Sequence, residues 1–163
     1  MGSPGRSESP HWLNTREDQA WRGYRRMSLL LDARIARDLT AESGLSEPDY
    51  DVLSALTESP DARCRISELA DHMLWSRSRL SHHISRMQAR GLVTREAHAE
   101  DGRGAVVVLA AGGRDAIEAA APGHVASVRT NLFDRLTPAE VDALAEITRK
   151  VLEPLRDDPD RPA

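Results

Sequence analysis

Apolar residues recur every three or four positions through most of this chain, and the pattern turns extended only once. Trp21, Tyr24, Leu31, Ile35 and Leu39 form a stripe that predicts a long helix over about residues 15–41, with a face in need of a partner. Gly44 is a stop signal. Ser46 and Asp49 then form a variant capping box, with Pro48 tolerated in the first turn, for a helix reaching about Glu58 whose Tyr50, Val52, Leu53 and Leu56 face inward. Ser59, Pro60 and Asp61 end it. A short helix follows, capped by Ser67 and running through Met73, with Leu69 and Ala70 toward the core. Ser76 caps the next, in which Leu80, Ile84 and Met87 are the buried stripe and Gly91 supplies a left-handed stop.

Beyond Gly91 the period becomes extended, with Leu92, Val93 and Thr94 before a polar stretch and Val106 to Leu109 after it. The connection, residues 98–104, holds the turn pair Asp101–Gly102, so this segment predicts a hairpin with a long, polar, partly basic tip. Two helices close the chain, over about residues 113–133 and 138–155. The second is announced by a Thr137/Glu140 capping box with Pro138 at its first position, and Pro122 should kink the first near Ala121. Residues 1–11 and 157–163 read as frayed tails, and no internal repeat is visible.

Length and composition narrow the function classes. The 163 residues suit one small domain with extra helices, and 40% hydrophobic with 29% charged residues is an ordinary globular balance. Without an apolar run near the roughly 18 residues of a membrane span, or an apolar signal core at the start, the expectation is a soluble cytoplasmic protein. Cys64 is the only cysteine, which excludes an internal disulfide and leaves too few thiolates for structural zinc. No nucleophile elbow, phosphate loop or metal-ligand cluster marks an enzyme, and no cofactor or metal is expected. Net charge is −4, so any polyanion footprint must be local. Residues 75–95 provide one: they hold Arg77, Arg79, Arg86, Arg90 and Arg95 and no acidic residue, against 17 basic and 26 acidic residues elsewhere. A solvated helix face that happens to use arginine is the competing explanation.

A short helix, a tight turn, an arginine-rich second helix and a hairpin make up a winged helix-turn-helix. With Leu80, Ile84 and Met87 buried, Ser78, Ser81, His82 and Ser85 fall on the opposite face, and Ser76 and Arg77 lie at the amino end. Small hydroxyls let a helix approach a major groove, Arg can pair with guanine O6 and N7, and the helix amino end attracts phosphate.

In its Ile66-Ser67-Glu68-Leu69-Ala70, Ser76-Arg77-Ser78-Arg79-Leu80-Ser81, Arg86-Met87-Gln88-Ala89-Arg90-Gly91-Leu92-Val93 and Asp101-Gly102-Arg103-Gly104 segments the chain resembles the MarR family of winged-helix regulators, from about Trp12 to Leu155. The resemblance implies a mainly α fold with a small β-hairpin wing. It divides the chain into a dimerisation helix (12–44), a DNA-binding head (45–110) and carboxy-terminal dimerisation helices (111–156), which pack into a homodimer. It further implies that residues 76–90 enter a major groove and that Arg103, oriented by Asp101, enters the adjacent minor groove.

The residues expected to contact double-stranded DNA are Ser76, Arg77, Ser78, Arg79, Ser81, His82, Arg86, Arg95 and Arg103. Arg86 could instead brace the head, and Arg95 would be a phosphate contact or simply solvated. The expected function is a ligand-responsive repressor on a pseudo-palindromic operator. Trp21, Tyr24 and Tyr50 are candidates for a pocket that takes a small lipophilic or phenolic effector. Alternatives are a winged-helix module for protein contact, or a redox-responsive regulator using Cys64, although family members that sense oxidants usually carry that cysteine in the first helix. Adjacent His82 and His83 diverge by about 100° on a helix and should not share a metal. Two departures from the family pattern stand out. Leu109-Ala110-Ala111-Gly112-Gly113 lacks the hydroxyl that usually caps the next helix, so its start should fray, and Trp75, beside the recognition helix, and Arg79, in place of a small residue, are bulky, so the operator sequence cannot be borrowed from a relative.

Overall fold

The computed structural model describes residues 11–97 and 105–156. In order, its elements are α1 (Thr15–Ser43), α2 (Glu47–Glu58), β1 (Arg63–Arg65), α3 (Ile66–Met73), α4 (Arg77–Ala89), β2 (Val93–Ala97), β3 (Ala105–Leu109), α5 (Ala111–Asn131) and α6 (Pro138–Arg156). The fold is mainly helical with a small antiparallel sheet, as expected. The chain divides into two compact units after Arg34.

The first unit is the amino-terminal part of α1. A capping box starts it: Asn14 Oδ1 accepts from Glu17 N at 3.0 Å and Glu17 Oε2 accepts from Asn14 N at 2.8 Å. Trp21 and Tyr24 stack with centroids 6.0 Å apart, and Arg25 lies over Trp21. Trp12, Leu13, Met27, Leu29 and Leu30 are also exposed in this unit.

The second unit holds one core, built from Leu39, Leu45, Val52, Leu53, Leu56, Leu69, Leu80, Ile84, Met87, Val93, Val107 and Ile117 among others. Burial of each large aliphatic side chain here contributes about 1.5–3 kcal/mol. Gly44 ends α1 at φ +70°, and the Ser46/Asp49 box starts α2, both where the periodicity places them. The end of α1 is tied to α5 by Ser127 Oγ, which donates to Asp38 Oδ2 at 2.7 Å.

Four features depart from the sequence reading. Arg65 rather than Ser67 precedes α3, without a side-chain cap, because β1 runs directly into the helix. β1 itself was not foreseen; it pairs with β3, giving the strand order β1-β3-β2. α5 begins at Ala111, two residues early, and ends at Asn131, before a 3-10 turn at Phe133–Arg135. Its start is anchored instead of frayed: Ala110 offers no hydroxyl, but its N–H donates to Leu92 O at 3.1 Å. The expected Thr137/Glu140 box does start α6, where Ile147, Val151, Leu152 and Leu155 are exposed.

Candidate nucleic-acid interface

α3 and α4 are joined by three residues. Leu74 adopts the left-handed conformation at φ +54°, and Trp75 N–H returns to Ala70 O at 2.9 Å, which turns the chain sharply enough for Ser76 to begin α4 at once. Ser76 Oγ accepts from Arg79 N at 3.3 Å, the N-cap bond read from the sequence. Leu80, His83, Ile84 and Met87 face the core, leaving Arg77, Ser78, Arg79, His82, Ser85 and Arg86 exposed. A Schellman turn closes the helix: Gly91 stands at φ +72°, Leu92 N–H donates to Met87 O and Gly91 N–H to Gln88 O, each at 3.0 Å.

Beneath this exposed face lies a polar network that the sequence reading missed. Asp49, 2% exposed, accepts from Ser46 N at 3.0 Å and from Arg90 Nη1 at 2.7 Å, while Arg90 Nη2 reaches Gly44 O at 3.4 Å. The start of α2 is thereby clamped to the end of α4. His83, 5% exposed, receives Arg86 Nη2 on Nδ1 at 3.1 Å, which assigns its proton to Nε2. Nε2 lies 3.3 Å from Asp49 Oδ1, yet off line for a hydrogen bond. Burial pushes the His83 pKa down, Asp49 opposes that shift, and Arg86 and Arg90 add to it. Burial would raise the Asp49 pKa, but the hydrogen bonds from Arg90 and Ser46 outweigh it and hold the carboxyl below its usual range.

His83 binds its proton less readily folded than unfolded, so its contribution is complete above about pH 6.5 and is lost as pH falls toward its folded pKa. Melting temperature is expected to fall between pH 7.5 and 5, and His83→Gln should flatten that slope. Parallel slopes for the two proteins would remove His83 from the acid response.

The wing is a two-stranded extension of the sheet, with Val93 paired to Leu109 and Ala97 to Ala105. Arg63 on β1 and Glu96 on β2 form an ion pair across the central strand β3. The tip that carries Asp101 and Arg103 lies outside the described residues.

A family model described as the MarR family matches residues 43–104. Among solved structures, AbsC, a MarR family transcriptional regulator from Streptomyces coelicolor, is 38% identical, with 91% of this chain and all of that chain covered and a TM-score of 0.85. The chain belongs to the MarR family. Sco3205, a MarR family regulator from the same organism, solved in complex with DNA, is 40% identical over 93% of this chain and 98% of its own, with a TM-score of 0.87. BpsR from Bordetella bronchiseptica, whose DNA binding is regulated by 6-hydroxynicotinic acid, shares the fold at 23% identity and a TM-score of 0.71. None of the curated proteins matches the sequence.

For a MarR-family transcriptional regulator, the five-arginine cluster of residues 75–95 proves to be two populations. Arg77 and Arg79 are exposed and, among the described residues, paired with no carboxylate. Arg86 is exposed but tied to His83, the bracing alternative. Arg90 is turned onto Asp49. Arg95, expected as a phosphate contact or a solvated group, is half-buried and donates from Nη2 to the carbonyl and, at 3.1 Å, to the hydroxyl of Ser81. Ser81 is consequently half-buried and engaged, because the first wing strand lies behind it. Ser76, Ser78 and His82 remain on the exposed face with Arg77 and Arg79.

The other candidates fare differently. His82 and His83 diverge, one exposed and one buried, and no cluster of metal-ligating side chains occurs among the described residues. Cys64 is half-buried on β1, and burial together with nearby Glu68 pushes its thiol pKa up, which disfavours the thiolate. Trp21 and Tyr24 line an open depression with Arg22, Arg25 and Leu29. Tyr50 belongs to the other unit, where it packs on the core and tilts against His124 with centroids 4.3 Å apart. Among the described residues no helix is long and apolar enough to cross a membrane.

Proposed function

We propose that this regulator binds a pseudo-palindromic DNA site as a homodimer in the cytoplasm, with α4 in a major groove and Arg103 in the neighbouring minor groove, and that it represses until an effector alters the spacing of its two heads. The observation that carries the reading is the exposed face of α4. It presents Arg77 and Arg79 with Ser76, Ser78 and His82, carries no acidic residue, and is fixed from behind by its core stripe and by Arg90 and Arg95. Fixed donors lose less freedom on docking than mobile ones. The DNA complex of the 40%-identical Sco3205 supports duplex DNA as the ligand. The uncovered apolar residues of α1 and α6 support the homodimer, since faces of that kind mark association surfaces. Two heads spaced near the roughly 34 Å DNA repeat would read two half-sites, and a change in that spacing would cost contacts at one of them. BpsR supports a small aromatic acid as one model of an effector, and the depression lined by Trp21 and Tyr24 is its proposed contact; Tyr50, packed on the core of the other unit, is left out of it.

The test is a duplex titration by fluorescence anisotropy against competitor DNA, repeated across salt concentrations. Two chains per duplex and a steep salt dependence are expected. Arg103→Ala should weaken binding about tenfold and reduce the salt slope by about 1. Affinity that ignores both salt and the substitution would remove the wing from the interface.

A further inference from the structure

Arg79 is not merely exposed; it is held. Its guanidinium carbon lies over the Trp75 ring, 3.7 Å from the centroid, and its backbone N–H is fixed by Ser76 Oγ at 3.3 Å. Trp75 is itself fixed, half-buried against the core and edge-on to His83 at 5.5 Å and 80°. His83 in turn stands between Asp49 and Arg86. A continuous packed chain therefore runs from the start of α2 through His83 and Trp75 to a single guanidinium in the first turn of α4.

We infer that Trp75 is a positioning residue that presents the edge of Arg79 to one guanine in each half-site, making the pair a determinant of sequence specificity. The inference rests on the DNA-binding reading above and adds to it which residue reads a base, and how. Three arguments favour a base over a phosphate. Stacking occupies the flat face of the guanidinium and leaves its N–H edge free, the geometry that matches O6 and N7 of guanine with two parallel bonds. Helix-turn-helix proteins bring the first turns of this helix to base edges. A phosphate contact needs only a positive charge within reach, which Arg77 supplies without any stack, whereas a bidentate contact depends on the orientation that an indole imposes.

The experiment is selection of bound duplexes from a random pool by the full chain and by Arg79→Ala, Arg79→Lys, Trp75→Leu and Trp75→Phe, with each variant's melting curve recorded. The wild type should enrich a guanine in each half-site that Arg79→Ala and Arg79→Lys no longer prefer. Replacing that guanine by 7-deazaguanine, which lacks N7, should weaken wild-type binding about tenfold and leave Arg79→Ala indifferent. Trp75→Leu should lose most of the penalty while keeping its salt dependence, and Trp75→Phe should retain part of it; if the leucine variant does not fold, the phenylalanine variant decides. An equal loss of affinity for every sequence in Arg79→Ala would assign Arg79 to phosphate and overturn the inference. So would a consensus that Arg79→Ala leaves unchanged. A full 7-deazaguanine penalty in the Trp75 variants would overturn the positioning role. Failure of the wild type to enrich any duplex would instead overturn the DNA-binding reading on which the inference stands.

Discussion

Gly113→Ala is expected to destabilise the protein by about 3 kcal/mol or more, at the upper end of overpacking effects. Gly113 is buried in the first turn of α5, and a Cβ there would stand 2.0 Å from Leu92 O, 2.9 Å from Leu92 C and 3.0 Å from Leu109 Cδ1. A backbone oxygen cannot rotate aside as a side chain can. Leu92 O also accepts the Ala110 N–H, so relief requires α5 to back away from the turn that closes α4. Over a chain of this length the loss corresponds to a fall in melting temperature of about 6–12 °C. Gly23→Ala is the matched control: it meets nothing within 4 Å inside α1, and alanine there should stabilise by up to about 1 kcal/mol. If Gly113→Ala melts with the wild type, α5 is not seated on the end of α4 in the way described.

The second large effect is expected at Asp49. Asp49→Ala removes the carboxylate half of the α2 capping box, leaves Arg90 without its carboxylate and takes away the counter-charge beside His83. Breaking a buried pair costs about 3–5 kcal/mol, but the Arg90 side chain is 45% exposed and water will compensate part of it. The expected loss, cap included, is about 3 kcal/mol. Asp49→Asn, which keeps an oxygen for capping, should lose less. The acid response separates the roles of the two groups. Because the carboxyl pKa lies below its ordinary value, the Asp49 contribution is complete above about pH 3.8 and disappears as pH falls through the folded value. Asp49→Ala should accordingly lack the part of the acid response that lies below about pH 3.8. Chemical denaturation at about pH 7, pH 4.5 and pH 2.5 measures the loss at neutral pH and the acid response. Equal stability of Asp49→Ala and wild type at pH 7 would show that the clamp between α2 and α4 contributes nothing.

Several features were available in the sequence without being read. Asn14 and Glu17 stand at capping-box spacing before α1. His83 occupies the same stripe as Leu80, Ile84 and Met87, three residues after the first and four before the last. β1 had a weaker signal. Its three residues are Arg-Cys-Arg, too short and too polar for a pattern, and the only hint was the unbroken apolar run in β3, which has a neighbour on each side because it is the central strand. Ser67 has the chemistry of a cap but not the position, since the strand pairing of Arg65 sets where α3 begins.

Most helix ends, those of α3 and α5 aside, follow from the residues beside them. Gly44, Ser46, Ser76, Gly91 and Thr137 act on backbone groups at most a few residues away, and the spacing of Leu80, Ile84 and Met87 decides which side of α4 is buried whatever packs against it. Tertiary structure alone decided which arginines are left for a ligand. Five side chains of the same charge are equivalent in a string of letters, but Arg90 finds Asp49 41 residues away and Arg95 finds Ser81 14 residues back on α4, while Arg77 and Arg79 stay exposed. A charged group turns inward only where folding brings an acceptor close enough to offset its desolvation, and no local periodicity records where that acceptor will be.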